Sequence, residues 1–217
     1  MRLKKYLINL DMNPIMKIIG IVCSPREGGN TEILVRHALE SARETGAAET
    51  ELIHLGNKHI NPCKGCDACE RTGKCCQKDD MQDIYGKLIS AHGIIIGTPV
   101  YFWGVTAQAK TLMDRTYCLV AHHRAMVRGS GPSHPLPQED LRGKVGGIIT
   151  VTRRAGATPA VSQVSDFFRI HRIVEAGAGI AYAGEKGDVR MDEQGMRESQ
   201  LVGRSVVRMI HKLEQRR

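Results

Sequence analysis

Aromatic residues are scarce. The 217-residue chain has one Trp, three Phe and five Tyr, 4% in all, and nowhere are they interleaved with a stripe of arginines. There is no recognisable nucleic-acid module either, so the formal net charge of +8 does not mark a nucleic-acid surface, and no nucleic-acid partner is expected. Net charge speaks to association rather than to fold, and a scattered basic surface suits an acidic protein partner. Long hydrophobic runs are missing too. No stretch approaches the ~20 apolar residues that a membrane helix needs, so no membrane partner is expected. Residues 1–15 carry Arg2, Lys4 and Lys5 ahead of a short apolar run, but Asn9, Asp11 and Asn13 break it up and no small-residue cleavage site follows. They read as an N-terminal extension, with Met16 as an alternative first residue, and the expected location is cytoplasmic.

Two phosphate-binding fingerprints are also missing. G-x-G-x-x-G does not occur. The nearest approach to G-x-x-x-x-G-K-[ST] runs from Gly104 to Thr111 and has Ala109 where the second glycine belongs.

Present instead are short apolar, β-branched runs alternating with helical patterns. Residues 17–23 read as a strand buried on both faces. Asn30 is a suitable N-cap, and Ile33, Leu34, His37, Ala38 and Ala42 follow at helical spacing until Gly46. Residues 50–55 make a weaker strand. Asp79 and Asp80 are expected to cap a helix over 81–91, and residues 93–98 form a third strand that Pro99 ends. Beyond it the pattern predicts a helix over 106–119, a long loop over 121–140, and a strand over 145–151. A helix over 159–170, a strand over 173–182 and a closing helix over 191–214 follow. Val202, Val206, Met209, Ile210 and Leu213 line the apolar stripe of that last helix. Such alternation means an α/β domain, 16–217, with a doubly wound five-stranded parallel sheet. Ligands in such sheets sit at the carboxyl ends of strands beside the switch point, which directs attention to the loops after strands one, three and four.

The first of these, Cys23 to Thr31, joins a buried strand to a helix N-terminus. Hydroxyls, glycine-freed amides and the helix dipole converge there as a phosphate dianion requires, and Arg26 can add a charge-assisted contact. A plain strand-to-helix turn is the alternative. After the third strand, Tyr101, Phe102 and Trp103 concentrate three of the nine aromatics where they could flank a planar ring such as a flavin, or serve as a hydrophobic plug or dimer contact. After the fourth, Thr152, Arg153 and Gly156 offer amides and a positive charge that would favour an anionic reduced flavin, or form a basic surface turn.

Seven cysteines in a reducing compartment do not read as disulfides. Five of them, Cys63, Cys66, Cys69, Cys75 and Cys76, lie in the segment 59–80 after strand two. Cys23 and Cys118 stand alone as small buried residues. The run Cys63-x2-Cys66-x2-Cys69-x5-Cys75 lets one loop wrap an iron–sulfur cubane held by four thiolates. Gly65 and Gly73 permit close backbone approach, and Lys64, Lys74 and Lys78 offset the charge. Spacing alone also admits Cys76 as the fourth ligand. Structural zinc more often joins two separated C-x2-C pairs; it and a metal-free thiol loop are the alternatives.

Taken together, Ser24-Pro25-Arg26, Gly28-Gly29-Asn30-Thr31 and Pro99-Val100-Tyr101 resemble the flavodoxin-like NADPH-dependent FMN reductase superfamily over about residues 16–217. The resemblance implies a flavodoxin-like fold and bound FMN. Its phosphate would lie on Ser24, Pro25, Arg26, Gly28, Asn30 and Thr31. Its ring would lie between Pro99, Val100, Tyr101, Phe102, Trp103 and Gly104 on one loop and Thr152, Arg153 and Gly156 on the other. Cys23 stands where that superfamily more often has Ser or Gly.

The cysteine-rich loop inserted after strand two resembles that of the iron–sulfur flavoproteins of anaerobic archaea and bacteria. This resemblance implies a 4Fe–4S cluster on Cys63, Cys66, Cys69 and Cys75, with subunits joined as a homodimer or homotetramer. Electrons would come from ferredoxin or a similar acidic donor, pass through the cluster to FMN, and leave to a small acceptor such as a quinone, oxygen or peroxide. The alternative is an NAD(P)H-dependent FMN or quinone reductase whose cysteine loop holds zinc or no metal. No side-chain nucleophile or acid–base pair is required of the chain, because the cofactors carry the chemistry.

Overall fold

Three strands are largely apolar and buried on both faces. They are β1 (Lys17–Val22), β3 (Gly93–Pro99) and β4 (Val145–Thr152). In the computed structural model, which describes residues 16–47, 49–121 and 140–215, they occupy the centre of a five-stranded sheet. The outer strands β2 (Glu49–His54) and β5 (Val174–Tyr182) are only partly covered, which is why their sequences are less continuously apolar. The order is β2-β1-β3-β4-β5 with every pair parallel. This is the flavodoxin-like order, with the switch point between β1 and β3. In register, Ile21 lies beside Ile96 and Ile96 beside Ile148, so one row of isoleucines crosses the middle of the sheet.

One face is covered by α1 (Asn30–Thr45) and the long closing helix, α6 (Glu193–Glu214). Leu34, Val35 and Ala38 of α1 meet Val202, Val206, Val207 and Ile210 of α6 in a single apolar cluster. The two helices approach so closely that a Cβ on Gly203 would lie 2.0 Å from the Ala38 carbonyl oxygen. The opposite face takes α3 (Met81–Ser90), α4 (Ala107–Arg115) and α5 (Ala157–Ile170). There Met81, Ile84, Leu88, Leu112, Val164 and Phe168 form the second core. A short helix, α2 (Ala68–Thr72), lies inside the cysteine segment, where the sequence shows no helical period long enough to announce it.

Several boundaries differ from expectation for local reasons. Asn30 is not the N-cap of α1. Gly29 takes that place without a side-chain bond, and the Asn30 amide is engaged elsewhere. Helix α4 stops at Arg115, where the Thr116 hydroxyl donates back to the Met113 carbonyl. At the start of α3 the Met81 amide is met by Asp79, while Asp80 accepts from the His59 amide. No described helix is long and apolar enough to cross a membrane. Residues 1–15 and most of the expected long loop, with His122, His123 and His134, lie outside the described residues.

Candidate functional site

Because the β1–α1 and β3–α4 connections leave the sheet in opposite senses, a crevice opens between the carboxyl ends of β1 and β3. A cavity of ≈ 210 Å³ lies there. From the β1–α1 loop it is lined by Ser24, Arg26, Gly29, Asn30 and Thr31, and from the end of β3 by Pro99, Val100 and Tyr101. Val151 and Arg153 close the β4 side, and Ala183, Gly184 and Lys186 come from beyond β5.

The first loop is held rigidly. The Ser24 hydroxyl accepts from the Arg26 amide at 3.1 Å, and the Gly28 amide, on a residue with φ of 60°, donates to Glu32 at 2.7 Å. That bond and the neighbouring Arg36 outweigh burial and keep the Glu32 carboxyl below its usual range. Ser24 and Thr31 are nearly closed to solvent, yet both border the cavity. Thr106, the N-cap of α4, donates to the Cys23 carbonyl at 2.6 Å and ties the second loop to the first. Cys23 is fully buried, and burial pushes its thiol far up, which makes it inert packing.

After β3, Tyr101 and Gly104 exchange two backbone hydrogen bonds of 3.0 and 3.1 Å, with Phe102 and Trp103 at the tip. Both tip residues have positive φ, 45° and 65°, the pattern of a type I′ turn that Asn-Gly ordinarily fills. Their rings face solvent, and neither borders the cavity. Gln163 of α5 accepts from the Val105 amide and fixes the base of this hairpin. Thr152 turns its hydroxyl to the Ala155 carbonyl. Gly156, φ 88°, lets the loop after β4 pack on the hairpin, since a Cβ there would come within 2.9 Å of Val100 and 3.2 Å of the Trp103 Cα. Pro25, Gly28, Gly104, Thr152 and Gly156 thus shape the loops without lining the cavity.

The donor set fits FMN. Two hydroxyls, the N-terminus of α1 and cationic side chains converge as a phosphate requires, and a tyrosine-bearing wall stands beside them. The residues beyond β5 carry no recognised motif. They could have been found only by applying the strand-end rule to the fifth strand as well.

The cysteines occupy a second cavity, of ≈ 140 Å³. Cys63, Cys66, Cys69, Cys75 and Cys76 line it together with Cys118, so the residue expected to stand alone joins the other thiols. Cys69 and Cys75 pack against the core, whereas Cys63, Cys66 and Cys76 are exposed. The Cys66 and Cys76 sulfurs are 3.6 Å apart. The Ala68 amide lowers the Cys66 thiol pKa, and burial raises that of Cys69 to about 11 and also raises that of Cys118. Among the described residues no three Cys, His, Asp or Glu side chains converge closely enough for a single metal ion. A donor set made of thiols nevertheless suits an iron–sulfur group better than a hard cation.

The segment is anchored at several points. Gln77 donates to the Pro62 carbonyl at 3.1 Å, Gln82 to the Gln77 carbonyl at 2.7 Å, and Tyr117 to Glu70 at 2.6 Å. Arg115 of α4 reaches Asn61 and Asp79 at its two ends.

Comparison with known proteins agrees with this geometry. Residues 16–188 match the family model described as NADPH-dependent FMN reductase. An iron–sulfur flavoprotein of Methanocaldococcus jannaschii is 39% identical over 206 residues, covering 90% of this chain and 97% of that protein. Another, from Archaeoglobus fulgidus, is 34% identical over 208 residues, 91% of this chain and 98% of that one. Among solved structures, a flavone reductase superposes with a TM-score of 0.70 at 21% identity, over 93% of this chain and 65% of that one, a likeness of fold.

Proposed function

The chain belongs to the iron–sulfur flavoprotein group of the NADPH-dependent FMN reductase family, and on that premise we propose that it is an FMN-dependent oxidoreductase carrying a 4Fe–4S cluster. In this reading it takes electrons from ferredoxin or a similar acidic donor and delivers them to a small acceptor. The carrying observation is the pairing of a cation-lined cavity at the β1/β3 switch point with a second cavity lined by six thiols. Bound FMN would supply the exchange between one- and two-electron carriers, and the cluster the passage of single electrons.

The chain's own residues bind and shape. Ser24, Thr31, Arg26 and the first turn of α1 would hold the phosphate, and Pro99, Val100 and Tyr101 would form a wall for the ring. Cys63, Cys66, Cys69 and Cys75 would hold the cluster. Cys69 would give up its proton on ligation, because burial favours its neutral thiol until a metal compensates. The net positive charge supports an acidic donor. A cytoplasmic homodimer or homotetramer belongs to the same reading.

A second reading is an NAD(P)H-dependent FMN or quinone reductase with zinc or no metal among the cysteines. The contact between Cys66 and Cys76, which turns two thiols toward each other, favours its metal-free form. Iron, sulfide and flavin analysis of anaerobically purified protein separates the two. We expect one FMN with about four iron and four sulfide per chain, and a violet-edge absorption shoulder that dithionite bleaches. Flavin-loaded protein without iron, bleached by NADPH but not by reduced ferredoxin, would establish the second reading instead.

A further inference from the structure

The loop between β5 and α6 is tied to the first turn of α1 by one side chain. Asn30 donates from Nδ2 to the Glu185 carbonyl at 2.7 Å, and its Oδ1 accepts from the Gly187 amide at 2.7 Å and the Val189 amide at 3.4 Å. Most of the amide's hydrogen-bonding capacity is spent on that loop, although Asn30 itself borders the cavity at the β1/β3 switch point. Further bonds fix the same loop. Arg153 pairs with Glu185 at 2.9 Å and reaches the Gly184 carbonyl at 3.3 Å, and Asp188 accepts from the Glu185 amide at 2.6 Å.

Lys186 lies between these anchors and is carried over the β1–α1 loop. A Cβ on Gly28 would meet its Cε and Nζ at 3.3 Å. Lys186 and Arg26 line the same cavity. Among the described residues neither makes an ion pair, whereas nearby carboxylates are engaged: Glu27 with Asn57, Glu32 with Arg36, and Glu185 with Arg153. Two like charges facing one cavity repel each other until an anion enters.

We propose that Lys186 is the second cation of the phosphate site, acting with Arg26, and that Asn30 is the positioning residue that holds it there. The site therefore selects a flavin with a terminal phosphate over riboflavin. This rests on the FMN reading above and extends it to Lys186, which lies beyond β5 and far along the chain from the loop that carries the sequence signal.

The test is equilibrium binding of FMN and of riboflavin to the full-length chain after flavin removal, at low and high salt. Lys186→Gln is expected to weaken FMN roughly tenfold to a hundredfold, the loss of one charge-assisted contact. Riboflavin affinity should stay within about twofold, since the ring wall is untouched, and the salt dependence of FMN binding should become shallower. Lys186→Arg should restore most of the preference. Asn30→Ala should reproduce the selective loss, and in the Lys186→Gln background it should add little. Riboflavin binding also reports that each variant keeps a folded site. Equal losses for both flavins, or none for either, would overturn the assignment of Lys186. If the unsubstituted chain shows no preference for FMN, the FMN reading falls and the inference falls with it.

Discussion

Arg115 and Asp79 form a two-pronged ion pair, 2.6 and 3.0 Å, with both side chains wholly closed to solvent. The same guanidinium donates to the Asn61 carbonyl at 2.7 Å, and the same carboxylate accepts from the Asn61 amide at 3.0 Å. Helix α4 thereby grips the cysteine segment at entry and exit. Asp79→Asn leaves a buried guanidinium without its counter-charge, a change that costs roughly 3–5 kcal/mol. Urea denaturation should show that loss, and iron retention should fall with it; an unchanged midpoint would count against the clip.

The same pair sets a response to acid. Arg115 holds the Asp79 carboxyl well below the ordinary carboxylate range, against the opposing effect of burial. A depressed folded-state value means that the stabilisation is complete above the unfolded value of about 3.9 and is lost as pH falls through the folded value. Stability measured from neutral pH down to the acid limit should drop below about pH 4. In Asp79→Asn that component of the drop should vanish, leaving a shallower acid limb.

Adjacent thiols should separate cleanly. Cys75 packs inward beside Cys69, whereas Cys76 is exposed and lies against Cys66. Cys75→Ser is expected to abolish bound iron and the visible absorption of the cluster. Cys76→Ser should keep both, with flavin content equal in the two variants. Loss of iron from Cys76→Ser alone would move the fourth ligand to Cys76.

The aromatic hairpin carries a stability cost that two substitutions can release. Non-glycine residues at positive φ cost roughly 1–2 kcal/mol each, and Phe102 and Trp103 both sit there. Phe102→Asn with Trp103→Gly restores the preferred I′ pair and should raise the melting temperature by several degrees. FMN affinity should change little in the same variant, since neither ring borders the cavity.

Much of the fold is legible because β1, β3 and β4 are buried on both faces, which leaves no room for polar alternation. The edge strand β2 is harder to see. Glu51 interrupts it because its side chain pairs with Lys17 and Lys87 at the sheet margin. The first two loops of the candidate site are visible as local patterns of hydroxyl, glycine and aromatic residues. Lys186, Cys118 and Arg115 are not, since each acquires its place through contacts between distant parts of the chain. The same holds for Asn30: helix-cap chemistry is what its type and position suggest, and only the fold shows that its amide serves the far loop.

The closure at residues 59–80 has a consequence for how such a chain can be altered. The Asp80 amide donates to the His59 carbonyl at 3.2 Å and the His59 amide to Asp80 at 2.7 Å, so the two ends of the segment already touch. What lies between them is a cassette on a fixed socket. Because joining ends that are already held together costs little additional chain entropy, a change of length inside the segment is expected to cost the fold chiefly the contacts that Glu70, Cys69 and Cys75 make with the body of the protein, while the sheet beneath keeps its register.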